Sequence, residues 1–331
     1  MVNNKRLAAI DTGTNTFRLL IAEIQPGSFQ NSYSIKEICS KRIMTRLGEG
    51  IHDNGFLKRE AMDRSITALK EFNDIISRYH VYKISAIATS ALREAENSDE
   101  FLEKVKETTG IEIEVVSGEE EAKLTAAGML MDLTPPETAL MVDIGGGSTE
   151  LIFNARRKPL LIRSIDLGVV YLAGKYMIND PPLHKDLKHM EEEILQKINS
   201  TAKPFKKLFT RDTVFIGTAG TVTALAAMTQ NLTKFEHNKI HNFKLTIDNV
   251  KNIFSAISRL SSNERAGQIP FEPARLDIIV PGTHILFKLM EIFGFNEIRV
   301  SNYGLREGIL INLYNKEADH QGSSLKDSGK N

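Results

Sequence analysis

Two stretches of this chain end an apolar run on an aspartate and follow it at once with glycine and small hydroxyl residues. Ile10-Asp11-Thr12-Gly13-Thr14-Asn15-Thr16 aligns without a gap on Val142-Asp143-Ile144-Gly145-Gly146-Gly147-Ser148, and an apolar strand pattern resumes after both. The offset, 143 − 11 = 132 residues, is too long for a solenoid repeat and suits a compact domain. The pattern predicts a duplicated domain, each copy opening with a strand, a tight turn and a second strand. A chain of 331 residues has room for two such cores, at roughly 150 residues per domain.

Between and after the repeats, strands alternate with helices, which makes the chain α/β. Met62, Ile66, Leu69, Phe72 and Ile76 recur at helical spacing within Lys58 to Tyr79, and Lys83 to Ala88 reads as a strand. A helix from Asn97 ends at Gly110, Ile111 to Val116 alternates as a strand, and Gly118 to about Met131 is a further helix before Pro135-Pro136. More helices are expected over Lys185 to Leu208, Ile247 to Leu260, Ala274 to Phe293 and Gly304 to about Asn315. The reading places a first domain at 1–124, a second at 125–303, a C-terminal helix over about 304–316 that packs back on the first, and a disordered tail at 317–331.

Composition removes several classes of function. Forty-two basic residues balance forty-two acidic ones, so no general field draws nucleic acid or an anionic membrane, and a polyanion would have to meet a local basic groove. The basic patches are Lys41-Arg42 with Arg46, Arg156-Arg157-Lys158 and Lys203 with Lys206-Lys207, each of which reads first as a solvated face, as do Arg265 and Arg275. Cys39 is the only cysteine, which excludes an intrachain disulfide and a cysteine zinc cluster and points to a reducing cytoplasm. Asp11 cuts short the apolar run after Lys5-Arg6, so no export signal is read. Six threonines and two glycines dilute Thr213 to Thr233 below a membrane span.

The loops suit phosphate. Glycines let backbone N–H groups converge on anionic oxygens, which nominates Gly13, Thr14, Asn15, Thr16, Gly145, Gly146, Gly147 and Ser148. The aspartates cannot hold phosphate directly but can orient hydrated Mg²⁺, so Asp11 and Asp143 are candidate metal ligands. A third loop, Gly217-Thr218-Ala219-Gly220-Thr221, follows an apolar strand and enters a helix, a nucleotide-type arrangement. None is a Walker A box, and Gly145-Gly146-Gly147 leads into a strand where a Rossmann fingerprint needs a helix. Glu150, two residues past Ser148 on a strand, is a second metal or water ligand, and Arg18 holds the matching place in the first repeat. Arg93, just past the strand ending at Ala88, can clamp phosphate oxygens. Ser117 caps a helix with Glu120 reaching back, while Glu121 points elsewhere. His237 and His241, four apart, lack a nearby acidic third ligand and are given no metal.

The order of two phosphate loops and an adenosine-type loop resembles the actin, hexokinase and heat-shock chaperone superfamily, which implies two duplicated ribonuclease H-like domains flanking an interdomain cleft. A narrower resemblance lies in Ala88-Thr89-Ser90-Ala91-Leu92-Arg93-Glu94-Ala95, Ser117-Gly118-Glu119-Glu120-Glu121-Ala122, Asp143 to Glu150 and Ser301-Asn302-Tyr303-Gly304-Leu305-Arg306-Glu307-Gly308. Together with the opening Asp-x-Gly-Thr-Asn-Thr-Phe-Arg, these are similar to the exopolyphosphatase and guanosine pentaphosphate phosphatase family. Thr14 and Thr16 stand where that family usually has serine, which keeps the hydroxyl.

The resemblance implies a short, two-domain phosphohydrolase acting on polyphosphate or guanosine pentaphosphate with Mg²⁺, with Glu121 directing the attacking water and Glu150 beside it. The long family members carry a further helical region after the two domains that this chain does not include. The alternatives are a small-molecule kinase of the same superfamily and a non-catalytic nucleotide- or alarmone-binding protein. Preference between the substrates, chain-length preference, nucleotide binding at the third loop and assembly into a homodimer stay open.

Overall fold

The computed structural model describes residues 5–27, 33–131, 137–155 and 158–327. The chain divides into two compact units, Met1–Thr134 with Tyr303–Asn331, and Pro135–Asn302. Among the described residues, no helix is long and apolar enough to cross a membrane. Arg156, Arg157 and the Pro135-Pro136 pair lie outside the described residues.

In the first unit, β1 (Arg6–Thr12), β2 (Thr16–Pro26) and β3 (Tyr33–Met44) are followed by α1 (Ile51–Asn54), α2 (Arg59–Arg78), β4 (Lys83–Ala88), α3 (Ser90–Glu94), α4 (Ser98–Thr109), β5 (Ile113–Val115) and α5 (Gly118–Met129). The sheet order is β3-β2-β1-β4-β5, with β1 antiparallel to β2 and parallel to β4. β1 is apolar at every position from Leu7 to Ile10 because both faces of the sheet are covered. Ala8 and Ile10 point into a core with Leu69 and Phe72 of α2 and Phe101 and Val105 of α4. Leu7 and Ala9 point the other way, onto Leu124 of α5 and onto Leu305, Ile309 and Leu310 of the C-terminal helix (Leu305–Asp327).

That helix crosses α5 at very close range. A Cβ on Gly308 would lie 1.8 Å from the Leu124 carbonyl oxygen, and one on Gly128 would lie 1.9 Å from that of Gly304, so both glycines are required by the approach of one backbone to the other. The helix runs on to Asp327, so the stretch past Glu317 that was expected to be disordered is helical as far as it is described, its backbone hydrogen bonds continuing where the apolar stripe thins. Glu317 itself is buried, and its carboxylate accepts from Lys83 and Tyr82.

The second unit repeats the plan. β6 (Thr138–Ile144), β7 (Thr149–Ala155) and β8 (Lys158–Ile165) lead to α6 (Val169–Tyr176), α7 (His184–Lys206), β9 (Val214–Thr218), α8 (Ala219–Thr229), α9 (His237–Ile240), β10 (Lys244–Thr246), α10 (Ile247–Ile257), α11 (Ser262–Ala266), a 3₁₀ turn (Pro273–Arg275), α12 (Ile279–Phe293) and β11 (Glu297–Val300). The sheet order is β10-β11-β9-β6-β7-β8. Stripped of β10, this matches the first sheet strand for strand, and the correspondence reaches a defect in the ladder. The β2/β3 pairing slips between Ile21 and Ala22, the β7/β8 pairing between Phe153 and Asn154, and 21 + 132 = 153.

Three local expectations shift. α12 begins at Ile279, after a separate 3₁₀ turn, where one helix was expected from Ala274. The Ser117 hydroxyl accepts from the Glu120 N–H at 3.2 Å, but the Glu120 carboxylate lies 4.0 Å from the Lys123 ammonium and half of the capping box forms. Asn97 precedes α4 without capping it, because its side chain is hydrogen-bonded to both the N–H and the carbonyl of Leu57.

Candidate active site

The two glycine loops are built alike. A Cβ on Gly13 would lie 3.1 Å from the Thr16 carbonyl oxygen, and one on Gly145 would lie 3.0 Å from that of Ser148, so a side chain at the first position of either loop would press on the same atom. In each loop the carbonyl oxygens are tied down from outside. The Asn15 oxygen accepts from the N–H groups of Thr45 (3.2 Å) and Arg46 (3.0 Å), and the Thr14 oxygen from Gly48 (2.9 Å). The Gly145 oxygen accepts from Val169 (3.1 Å) and the Gly146 oxygen from Val170 (2.9 Å), at the start of α6. Gly168 makes that approach feasible, since a Cβ there would meet the Gly146 carbonyl oxygen at 2.2 Å. The N–H groups of Thr14, Asn15, Gly146 and Gly147 donate to no backbone carbonyl among the described residues. Carbonyls fixed and amides unspent is the polarity an anion site needs.

The aspartates differ in what faces them. Antiparallel pairing sets Asp11 opposite Arg18 and Asp143 opposite Glu150, and 18 + 132 = 150. In the first unit the Arg18 guanidinium is 3.5 Å from Asp11 Oδ2. Asp11 is 5% exposed, and burial pushes its carboxyl above the usual range; the positive charges of Arg18 and Arg306 work against that push and Glu307 adds to it. In the second unit two carboxylates are cross-strand neighbours, an arrangement that repels unless a cation or hydrogen bonds compensate. Glu150 is 2% exposed, and Ser164 Oγ donates to its Oε1 at 2.8 Å.

Glu121 stands in the first turn of α5, where its N–H donates to the Ser117 carbonyl at 2.9 Å. Arg93, at the end of α3, places Nη1 3.3 Å from Glu121 Oε2 and donates to the Val116 carbonyl at 2.8 Å. The structure thus brings Arg93 to Glu121, with the guanidinium fixing the carboxylate. The hydroxyls of Thr14 and Ser90 meet at 2.7 Å, which ties the first loop to the start of α3. Thr16 is buried at the opening of β2.

The third loop is crowded. A Cβ on Gly217 would lie 2.5 Å from Ile298 Cδ1, and Thr218 Oγ1 donates to the Ser301 carbonyl at 3.1 Å. Ala219 adopts φ of +68°, a left-handed conformation that costs a residue with a Cβ. Gly220 passes directly beneath Arg275, whose guanidinium carbon would be 1.8 Å from a Cβ, and Arg275 Nε is 2.7 Å from Glu272 Oε1. Thr221 is buried, and a Cβ on Gly282 would meet its hydroxyl at 2.4 Å. Arg265, equally buried, pairs with Asp180 Oδ1 at 3.0 Å. His237 and His241 hold Asn302: its backbone N–H donates to His241 Nδ1 at 3.2 Å, and its side-chain amide donates to the His237 carbonyl at 2.9 Å.

Arg306 and Glu307 are not among the residues that the sequence nominates for the site. Arg306 Nη2 is 3.3 Å from Glu307 Oε1, Glu307 Oε2 accepts from the Gly304 N–H at 2.8 Å, and both charges act on Asp11. Their signal lay in the motif Ser301 to Gly308, but only the return of the C-terminal helix to the first sheet brings them to that aspartate.

The model of the Ppx/GppA phosphatase family matches residues 20–317 of the chain. Over 327 residues the chain is 34% identical to a bifunctional 3-dehydroquinate synthase/phosphatase of Fusobacterium nucleatum, an alignment that takes in 95% of this chain and 47% of that protein, so the chain spans about half its length. It is 28% identical to exopolyphosphatase 2 of Mycobacterium tuberculosis over 93% of this chain and 98% of that one. Among solved structures, a Ppx/GppA family member from Aquifex aeolicus matches with a TM-score of 0.78 and 32% identity, covering 95% of this chain and 98% of that one. An exopolyphosphatase from Cytophaga hutchinsonii matches with a TM-score of 0.82 and 28% identity, covering 94% and 98%.

Proposed function

Because this chain belongs to the Ppx/GppA phosphatase family, we propose that it releases terminal orthophosphate from inorganic polyphosphate or the 5′ γ-phosphate from guanosine pentaphosphate. The observation that carries the reading is the pair of like-built loops, each with two carbonyls anchored from outside and two amides that donate to no described backbone carbonyl. Thr14 and Asn15 in one loop and Gly146 and Gly147 in the other would hold peripheral phosphate oxygens through backbone N–H groups, the Gly145 N–H being given to the Ser148 carbonyl. Hydrolysis of a phosphoanhydride spreads charge over those oxygens, so fixed donors stabilise the transition state without reorganising.

Glu121 would orient the attacking water. The Arg93 guanidinium and the first turn of α5 keep its carboxylate in one place, the preorganisation such a role requires. Asp143 and Glu150, opposed across a ladder, fit a hard divalent cation, which accepts one or two carboxylates and completes its shell with water and phosphate oxygens. Asp11 fits it less well, having a guanidinium as its near neighbour. Among the described residues no group of three or more His, Cys, Asp or Glu could hold a metal, so a two-carboxylate donor set is the one to consider. Mg²⁺ bound there would neutralise phosphate charge.

The test is orthophosphate release from short polyphosphate, long polyphosphate and guanosine pentaphosphate, with Mg²⁺ present or chelated, by the wild type and Glu121→Gln. Turnover of at least one substrate should fall by about 10²- to 10⁴-fold in the variant, while substrate affinity stays near that of the wild type. Wild-type protein inert on all three substrates, or a Glu121→Gln variant of unchanged turnover, refutes the reading.

A further inference from the structure

The second unit holds a cavity of about 450 Å³ whose lining includes none of the glycine-loop residues, Asp143 or Glu150. It opens among the first turns of α7, the end of α10 and the middle of α12, and its size lies within the range of small-molecule sites. We propose that this cavity binds a small planar aromatic molecule carrying one anionic group.

A flat ring suits the aromatic wall that Phe254 presents with His284 packed behind it. Phe254 and His284 face each other with ring centroids 4.3 Å apart and planes inclined by 34°, and both line the cavity. His284 is 2% exposed, and its Nδ1 is enclosed without a hydrogen-bond partner among the described residues. Burial holds the imidazole in its neutral form, so it backs Phe254 without adding charge, and the half-buried Phe254 is the ring that the cavity wall offers. Aromatic faces of this kind favour an offset-stacked or edge-on ring over an aliphatic body.

The charges on the wall favour a negative group. Glu191 is the acidic lining residue, and Lys288 behind it neutralises it at 2.5 Å. Lys188 and Arg259 remain. Lys188 has its nearest acidic partner, Glu192, at 4.0 Å, which leaves it weakly engaged. Arg259 makes no side-chain hydrogen bond or ion pair with a described residue. A guanidinium and an ammonium on the rim of a stacking surface select a ring that bears a carboxylate or phosphate.

The chain contains no tryptophan, so indole fluorescence reports the probe alone. Indole-3-carboxylate would be titrated with the full chain by fluorescence anisotropy and calorimetry, beside neutral indole-3-carboxamide and ring-less cyclohexanecarboxylate. The expected result is saturable single-site binding of indole-3-carboxylate, with affinity reduced about tenfold or more, ~1.4 kcal/mol, both in the carboxamide and in Lys188→Ala/Arg259→Ala. Both substituted residues reach solvent, and a second variant, Phe254→Leu, should weaken the aromatic probe while leaving cyclohexanecarboxylate unchanged. The proposal is overturned by an absence of saturation at millimolar probe, by equal affinity for the carboxylate and the carboxamide, or by unchanged binding in both variants.

Discussion

Replacing Gly308 by alanine adds one methyl group where α5 and the C-terminal helix cross. The new Cβ would lie 1.8 Å from the Leu124 carbonyl oxygen, while ordinary contact begins at 3.4 Å, so the shortfall is 3.4 − 1.8 = 1.6 Å. The obstacle is backbone, which no rotamer change can clear, so the helices must part by about that distance. Parting them loosens the layer in which Leu124 packs with Leu305, Ile309, Leu310 and the inner face of β1. Overpacking of this sort costs about 1–3 kcal/mol, and an unyielding backbone contact belongs at the upper end. Alanine returns about 1 kcal/mol through its better helix propensity, which leaves a net loss of about 2 kcal/mol. Urea unfolding followed by far-UV circular dichroism measures it. Gly174→Ala in α6 is the control, because nothing lies within 4 Å of its Cβ and the same propensity should stabilise the protein by about 0.5–1 kcal/mol. Gly308→Ala matching or exceeding the wild type in stability would refute the close-crossing argument.

Glu150→Gln removes one charge from the opposed carboxylate pair, so the Mg²⁺ concentration giving half-maximal phosphate release should rise by about tenfold or more; an unchanged Mg²⁺ dependence would remove Glu150 from the donor set. Ser117→Ala deletes the α5 cap and should cost about 0.5–2 kcal/mol in urea unfolding, with reduced turnover because Glu121 rides on that first turn. For His284, burial lowers the imidazole to about 4, the Glu191 charge opposes that shift and Lys288 adds to it. Above pH 6.5 the group is neutral in both folded and unfolded chains, whereas between 6.5 and 4 the unfolded chain takes up a proton that the folded one refuses. Stability should therefore fall by about 3 kcal/mol across that window, with Lys188 and Arg259 on the same cavity wall adding positive charge. His284→Phe should flatten the pH profile of the urea midpoint, and an unaltered slope would show that the proton goes elsewhere.

The sequence by itself determined the duplication. Two Asp-Gly loops 132 residues apart carried the strand-turn-strand units and the matching positions of Arg18 and Glu150, because side chains alternate along a strand with a fixed period; the matching bulge appears only in the ladders themselves. It also determined the cap at Ser117, since a hydroxyl ahead of a helical stripe has few other uses. Tertiary structure decided what distance along the chain conceals. Arg93 and Glu121 are 28 residues apart and meet only because α3 and α5 both follow strands of one sheet. Arg306 and Glu307 act on Asp11 across nearly the whole length of the chain, by way of a helix that returns to the first sheet through two glycines with no Cβ to obstruct it. Local periodicity records which face of an element is buried, whereas the identity of its neighbour depends on packing, and packing sets the charges that an ionisable group feels.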